Sequence, residues 1–181
     1  MSDLFATPAT SPVTRDIKDE IEQFLFREAR LNDNEREREW LETMVDKNIR
    51  YQVFSRQLRY RKDTRGSGAK EVYFFDDDFA ALSHRIGLRE TGLQWVSDPP
   101  NRLRRIVGNI EAFDGDRPGD YRVFSNCMVS RHRMVYEHMQ YIYGRADVLR
   151  RDASSGQLRL VQRQIDFDER FVRGKNLLFI L

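Results

Sequence analysis

The hydrophobic period shifts along this chain from mainly helical to alternating, and that shift limits the folds open to it. Up to Pro100 the apolar residues recur mainly at helical spacing, whereas beyond it they alternate as strands do. Ile17, Ile21, Phe24, Leu25 and Leu31 form one stripe, which predicts an amphipathic helix from Ile17 to about Leu31. Asn32, Asp33 and Asn34 end it, and Asn34 is expected to cap a second short helix over EREREWLETMV, with Trp40, Leu41, Met44 and Val45 inward. NIRYQVFSRQLRY alternates and favours β-branched and aromatic types, so it reads as a strand leading into an exposed turn, RKDTRGSGAK. Asp76, Asp77 and Asp78 stand where a helix start favours negative charge, and Phe79, Leu82 and Ile86 continue as a third helix. After Pro100, strands are expected near residues 102–113, 120–132, 134–150, 158–169 and 175–181, with turns at DGDRPGD and DASSGQ. Helices gathered ahead of antiparallel strands specify an α+β domain in which a curved sheet wraps the helices, not an alternating parallel fold.

At 181 residues the chain fits one domain with a core of its own. Residues 1–16 lack the charged start and apolar centre of a signal peptide and read as a flexible Ser/Thr/Pro arm, leaving residues 17–181 as the folded unit. No apolar stretch approaches the ~20 residues needed to cross a bilayer, and the single cysteine, Cys127, excludes a disulfide within the chain. A soluble, cytoplasmic protein is expected. Its 31 basic and 29 acidic residues nearly cancel, so no global field draws it to nucleic acid. Of the 31 basic residues, 26 are arginine, whose planar fork suits carboxylates and protein interfaces.

Few residues can carry chemistry. Three histidines (His84, His132, His138) and one cysteine are little material for a metal centre. His132 and His138 with Glu137 between them superficially suggest two histidines and a carboxylate, but surface or satisfied histidines are far commoner than ligands. Cys127 sits mid-strand with Tyr121, Val123 and Val129 on its face and reads as a core thiol. Glu28 is more informative, because at 100° per residue it falls in the middle of the first helix's apolar stripe. Arg163 interrupts the inward row of its strand between Val161 and Ile165 in the same way. Two opposite charges in one core predict a buried ion pair, since either alone costs several kcal/mol. The competing reading makes Glu28 a general acid or base in a cavity.

Two segments point outward. In WVSDPPNRLRRIVGNI, Pro99 and Pro100 set an extended approach to a strand with Leu103, Arg105, Val107 and Asn109 on one face and Arg102, Arg104, Ile106 and Ile110 on the other. Arginine and apolar residues on both faces predict a strand covered on both sides, and Trp95, Arg102 and Arg104 are assigned to a docking surface. In the closing NLLFIL, Leu177, Phe179 and Leu181 alternate with Leu178 and Ile180, so both faces need cover, and Phe179 and Leu181 are placed at a subunit contact.

Taken together, IEQFLFREARLND, WVSDPPNRLRRIVGNI, ADVLRR and KNLLFIL, in this order and spacing from about Ile17 to Leu181, resemble the β (small) subunit of aromatic-ring-hydroxylating dioxygenases of the Rieske non-haem iron type. The resemblance implies a cystatin-like cone similar to nuclear transport factor two, and an assembly of three α and three β subunits. It places the Rieske two-iron two-sulfur cluster and the mononuclear iron in the α subunit. There, electrons from NAD(P)H, delivered by a reductase and often a ferredoxin, activate dioxygen to form a cis-dihydrodiol. The residues of this chain agree independently, because a Rieske cluster needs two cysteines and two histidines, and only Cys127 is present. No catalytic, cofactor or metal residue is therefore expected here, and the implied role is to hold α subunits together. The runner-up is a free-standing cone-fold isomerase or dehydratase using Glu28 or His138.

Overall fold

The computed structural model describes residues 4–55, 60, 62, 72–93, 99–135, 137–169, 177 and 179–181. Three helices, α1 (Arg15–Asp33), α2 (Glu37–Met44) and α3 (Phe79–Glu90), pack on one sheet. Its strands are β1 (Val45–Ser55), β2 (Val72–Asp77), β3 (Arg102–Asp114), β4 (Asp120–Arg133), β5 (Glu137–Arg151) and β6 (Leu158–Phe167), in the spatial order β2-β1-β6-β5-β4-β3. Only β1 with β6 is parallel; the other pairs are antiparallel. The expected α+β cone of helices on a mostly antiparallel sheet is what the chain forms. Among the described residues no helix is long and apolar enough to cross a membrane.

Strands of 13 to 15 residues, as in β3 to β5, are far longer than is usual and must twist and bend. Register shifts mark irregularities in the sheet, and two of them, in the β3–β4 and β5–β6 pairs, reset which side chains face inward. In β3, between Gly108 and Glu111, the chain carries one residue more than β4, and Asn109 takes φ 52° to accommodate it. In β6, Val148 pairs with Gln162 but Leu149 with Leu160, so Val161 is extra. The second shift corrects the simple alternation expected for β6: the buried inward row is Leu158, Leu160, Arg163, Ile165 and Phe167, and Val161 is not on it.

Several boundaries differ from expectation for local reasons. Asn34 does not cap α2. Its backbone N–H donates to Leu31 O, its Nδ2 donates to Arg30 O at 2.7 Å, and Arg36 N donates to Leu31 O at 2.9 Å, with Glu35 at φ 58° between them. The last carbonyls of α1 thus take their donors from the turn, in a left-handed closure usually made with glycine. Helix α2 accordingly starts at Glu37. Asp76 and Asp77 end β2, a short edge strand that the sequence reading passed over, and only Asp78 caps α3, accepting from Ala81 N at 2.8 Å. Most of RKDTRGSGAK lies outside the described residues.

Both ends of the chain are more integrated than expected. Residues 4–14 touch the sheet at several points, although most of residues 6–14 are exposed. Val13 N donates to Ala112 O and Asp114 N to Ser11 O, each at 3.1 Å, which pairs the free edge of β3. Farther back, Leu4 N donates to Gln164 Oε1 at 2.8 Å, and Leu4 is buried on the outer face of the sheet. At the other end, Leu177 and Phe179 to Leu181 lie outside any strand. They are buried within the chain at 8, 2, 2 and 3 % exposure, with Phe179 and Leu181 turned inward. An irregular backbone lets the described side chains turn inward together, which alternation forbids. Tyr51 Oη donates to Leu181 O at 2.7 Å, and Phe179 stacks obliquely on Tyr141 at 5.7 Å.

Deleting residues 177–181 removes these plugs, each worth roughly 1.5–3 kcal/mol of burial. The expected outcome is insoluble protein or a thermal midpoint more than about 10 °C lower, at roughly 2–4 °C per kcal/mol. A truncated chain with an unchanged midpoint contradicts the packing described.

Candidate functional site

The inward stripe of α1 is Ile21, Leu25, Glu28, Leu31 and Asn32, all buried. It lays the Glu28 carboxylate against the inner face of the sheet, where β5 and β6 present three more charges. Arg163 reaches Glu28 with both ends of its fork, Nη1 to Oε1 and Nη2 to Oε2, each at 2.8 Å. The same guanidinium donates to Asp147 through Nε at 2.8 Å and Nη2 at 2.9 Å. Arg145 closes the square, with Nη1 3.1 Å from Glu28 Oε2 and Nε 3.1 Å from Asp147 Oδ2. Trp40 on α2 donates its indole N–H to Glu28 Oε1 at 2.8 Å. No side chain of the four is more than 4 % exposed. Two anions and two cations leave no net charge in the core, the condition under which such burial is tolerable.

Burial alone pushes the Glu28 carboxyl upward, but the charges of Arg163 and Arg145 and the hydrogen bonds from Arg163 and Trp40 outweigh it, holding the pKa at about 2. Burial likewise works against the Arg163 cation and is overcome by Asp147 and Glu28, which raise its pKa. The folded Glu28 pKa lies below the ordinary carboxyl value of 4.5, so its stabilisation is complete above that pH. It is lost as the pH falls from there toward about 2. Near neutrality Glu28 is a fixed anion with each oxygen engaged, poorly suited to exchange protons with a substrate.

The ion pair expected of Glu28 and Arg163 is thus one edge of a larger cluster. Asp147 and Arg145 were missed. A signal for them exists: both share parity with Tyr141, Tyr143 and Leu149, so alternation along β5 puts them inward. His138, the other candidate acid or base, is exposed and stacks on His132 at 4.1 Å. Ser130 Oγ lies 3.1 Å from His132 Nε2 and 3.4 Å from His138 Nε2. These positions have the opposite strand parity to Arg145, so Glu28 and His138 do not converge. Neither of two surface depressions, one lined by Glu37, Ile86, Arg89 and Phe179 and the other by Phe26, Ile110, Phe124 and Arg145, includes Glu28.

The donors present do not fit an iron centre. Cys127 is buried beside Ser125, His84 is exposed on α3, and among the described residues no three His, Cys, Asp or Glu side chains are grouped to hold a metal. On the outside, Arg102 and Arg104 are exposed on β3, with Arg104 Nη1 3.7 Å from Asp33 Oδ2. Arg105 turns inward, donating to Asp33 Oδ1 at 2.7 Å and to Ile180 O. Among the described residues, nothing of this chain covers Arg102, Arg104 and Ile106 on the outer face of β3. Trp95 lies outside the described residues.

Comparison with known proteins follows the same lines. The family model described as ring hydroxylating beta subunit matches residues 27–174. The chain is 32% identical over 171 residues to the biphenyl 2,3-dioxygenase subunit beta of Rhodococcus jostii (strain RHA1), covering 93% of this chain and 91% of that one. It is 30% identical, at the same coverage, to a benzene 1,2-dioxygenase subunit beta of Pseudomonas putida. Among solved structures, a chain of naphthalene 1,2-dioxygenase with indole bound in its active site superposes with a TM-score of 0.86 at 28% identity, covering 93% of this chain and 88% of that one. A cystatin-like protein from Nostoc punctiforme PCC 73102, 15% identical with a TM-score of 0.57 and covering 88% of this chain and 97% of that one, shares the fold alone.

Because removing Glu28 or Arg163 singly leaves one charge uncompensated, Glu28→Met or Arg163→Met is expected to cost about 3–5 kcal/mol, while the double variant keeps the balanced Arg145–Asp147 pair and costs much less than the sum. Denaturant unfolding of the three variants measures this, and additive losses contradict it.

Proposed function

The chain belongs to the ring-hydroxylating beta subunit family, and from that premise we propose that it is a non-catalytic scaffold for the large (α) subunit of an aromatic-ring-hydroxylating dioxygenase. As a β subunit it is part of an oxidoreductase complex and has an α partner. The observation that carries the scaffold reading is the fully engaged carboxylate in the interior, where cone-fold enzymes keep their pocket acid or base. Here Glu28, the one carboxylate on the inward stripe of α1, is held by two arginines and an indole, and Phe179 to Leu181 are packed into the core. That geometry disfavours a free-standing isomerase or dehydratase.

In this reading the complex has three α and three β subunits in the cytoplasm. The Rieske cluster and the mononuclear iron belong to α. Electrons from NAD(P)H reach α through a reductase, with or without a ferredoxin, and dioxygen is used to cis-dihydroxylate an aromatic compound of the kind named for the relatives. This chain contributes shape and rigidity, with Arg102, Arg104 and Trp95 on its docking side and other β subunits as further neighbours.

The test is reconstitution. The purified chain alone is expected to hold no stoichiometric iron and to oxidise no arene, with dihydroxylation appearing only when its α partner is added. Near one equivalent of iron together with turnover by the isolated chain contradicts the proposal.

A further inference from the structure

The outer face of the sheet is divided in two. On the β1–β6 side it is closed by the chain's own N-terminal segment: Leu4 is buried there, and Phe5 meets the Phe54 ring edge-on at 6.2 Å and reaches over Gly144. Among the described residues the cover stops at the row Gly108, Asn126, Gly144, three directly paired positions on β3, β4 and β5 that line a groove together with Phe5. The next row on the same face is Ile106, Met128, Ile142. Ile106 is 57% and Ile142 51% exposed, an unusual state for isoleucines in the middle of long strands. Beyond them lie Arg104, Ser130, Gln140 and then Arg102, His132, His138, and the β4–β5 turn adds Met134 and Val135 at 59% and 100% exposure.

Charge decides what fits this surface. Its rows contain two arginines and two imidazoles but no carboxylate, and Arg104 is 75% exposed. A two-fold contact between two copies through this face would gather Arg102 and Arg104 of both copies against no anion but the buried Asp33 of each, which Arg105 already engages, a like-charge excess that self-complementary interfaces avoid. A partner with an apolar centre and carboxylates along one side satisfies both the isoleucine row and the guanidinium forks.

We infer that the uncovered outer face of β3, β4 and β5, centred on Ile106, Met128 and Ile142 and flanked by Arg102 and Arg104, is the surface that docks an apolar, acid-flanked patch of the α subunit. The inference rests on the scaffold reading above and names the surface that reading needs. The N-terminal segment keeps the other half of the face closed, so the α subunit meets one half only.

The experiment is co-expression of the full chain with its α subunit, followed by size-exclusion chromatography and a salt series. Three variants are compared: Ile106→Asp with Ile142→Asp, Arg104→Glu, and Leu88→Asp on exposed α3 as a control. Thermal midpoints establish folding, and Arg104→Glu keeps the test available should the double variant not fold. The expected result is at least tenfold weaker α association for both patch variants, with the Leu88 variant unchanged and wild-type association falling as salt rises. Undiminished association of the folded patch variants overturns the inference and leaves the scaffold reading standing. Loss of contacts between copies of this chain with α retained also overturns it, assigning the face to a second copy. Failure of the wild-type chain to associate with α refutes the scaffold reading, and the inference with it.

Discussion

Four charges buried together, Glu28, Arg145, Asp147 and Arg163, tie the helical layer to the sheet. Each ion removed from water carries a penalty of several kcal/mol, and the arrangement is tolerable because the charges sum to zero and the forks of Arg163 meet two carboxylates in near-ideal geometry. The consequence is positional. Glu28 must face β6 for the square to close, so α1 cannot rotate or slide on the sheet without breaking several charge-assisted bonds. Trp40 brings α2 into the same lock, and Arg163 stands over the Tyr51 ring at 5.8 Å, while the Tyr51 hydroxyl holds Leu181. Helices, sheet and chain end are thus fixed against one cluster.

A cone locked and filled in this way has its inside committed to stability. Cone folds that work as enzymes keep a cavity and a titratable group in it; here the corresponding space holds a neutralised quartet and an apolar tail. What is left for function is the outside, where long strands display side chains in paired rows and where the chain covers part of its own sheet but not all of it. Under the scaffold reading proposed above, a rigid, ligand-poor body of this kind would position an iron-bearing α subunit without taking part in its redox chemistry.

The parts of this arrangement legible in the sequence were those governed by period. The stripe of α1 located Glu28, alternation in β6 drew attention to Arg163, and the order of helices before strands specified the α+β class. What escaped was decided by local geometry or by contacts distant in sequence. The extra residue at Val161 shifts the inward row of β6, and Asn34 serves the end of α1 instead of the start of α2, because α1 carbonyls needed donors. Residues 4–14 carry turn-like composition, yet they make contacts because the edge of β3 and the outer face around Gln164 and Phe54 offer partners 49 to 160 positions away. Phe179 and Leu181 were assigned outward on the assumption of a regular strand, and their irregular backbone brings them inside.

The central claim is that Glu28 is a permanent structural anion. Its indole partner reports directly on that charge. In a ¹H–¹⁵N spectrum, with the second tryptophan removed by Trp95→Phe, the Trp40 indole resonance is expected to stay constant from about pH 8 down to about pH 5. It should move only as acid takes the carboxylate below its unfolded value toward about 2, where the fold is lost with it. A reversible titration of that resonance with a midpoint between about pH 6 and pH 8, in the folded protein, is the signature of a working acid or base and contradicts the structural role assigned to the cluster.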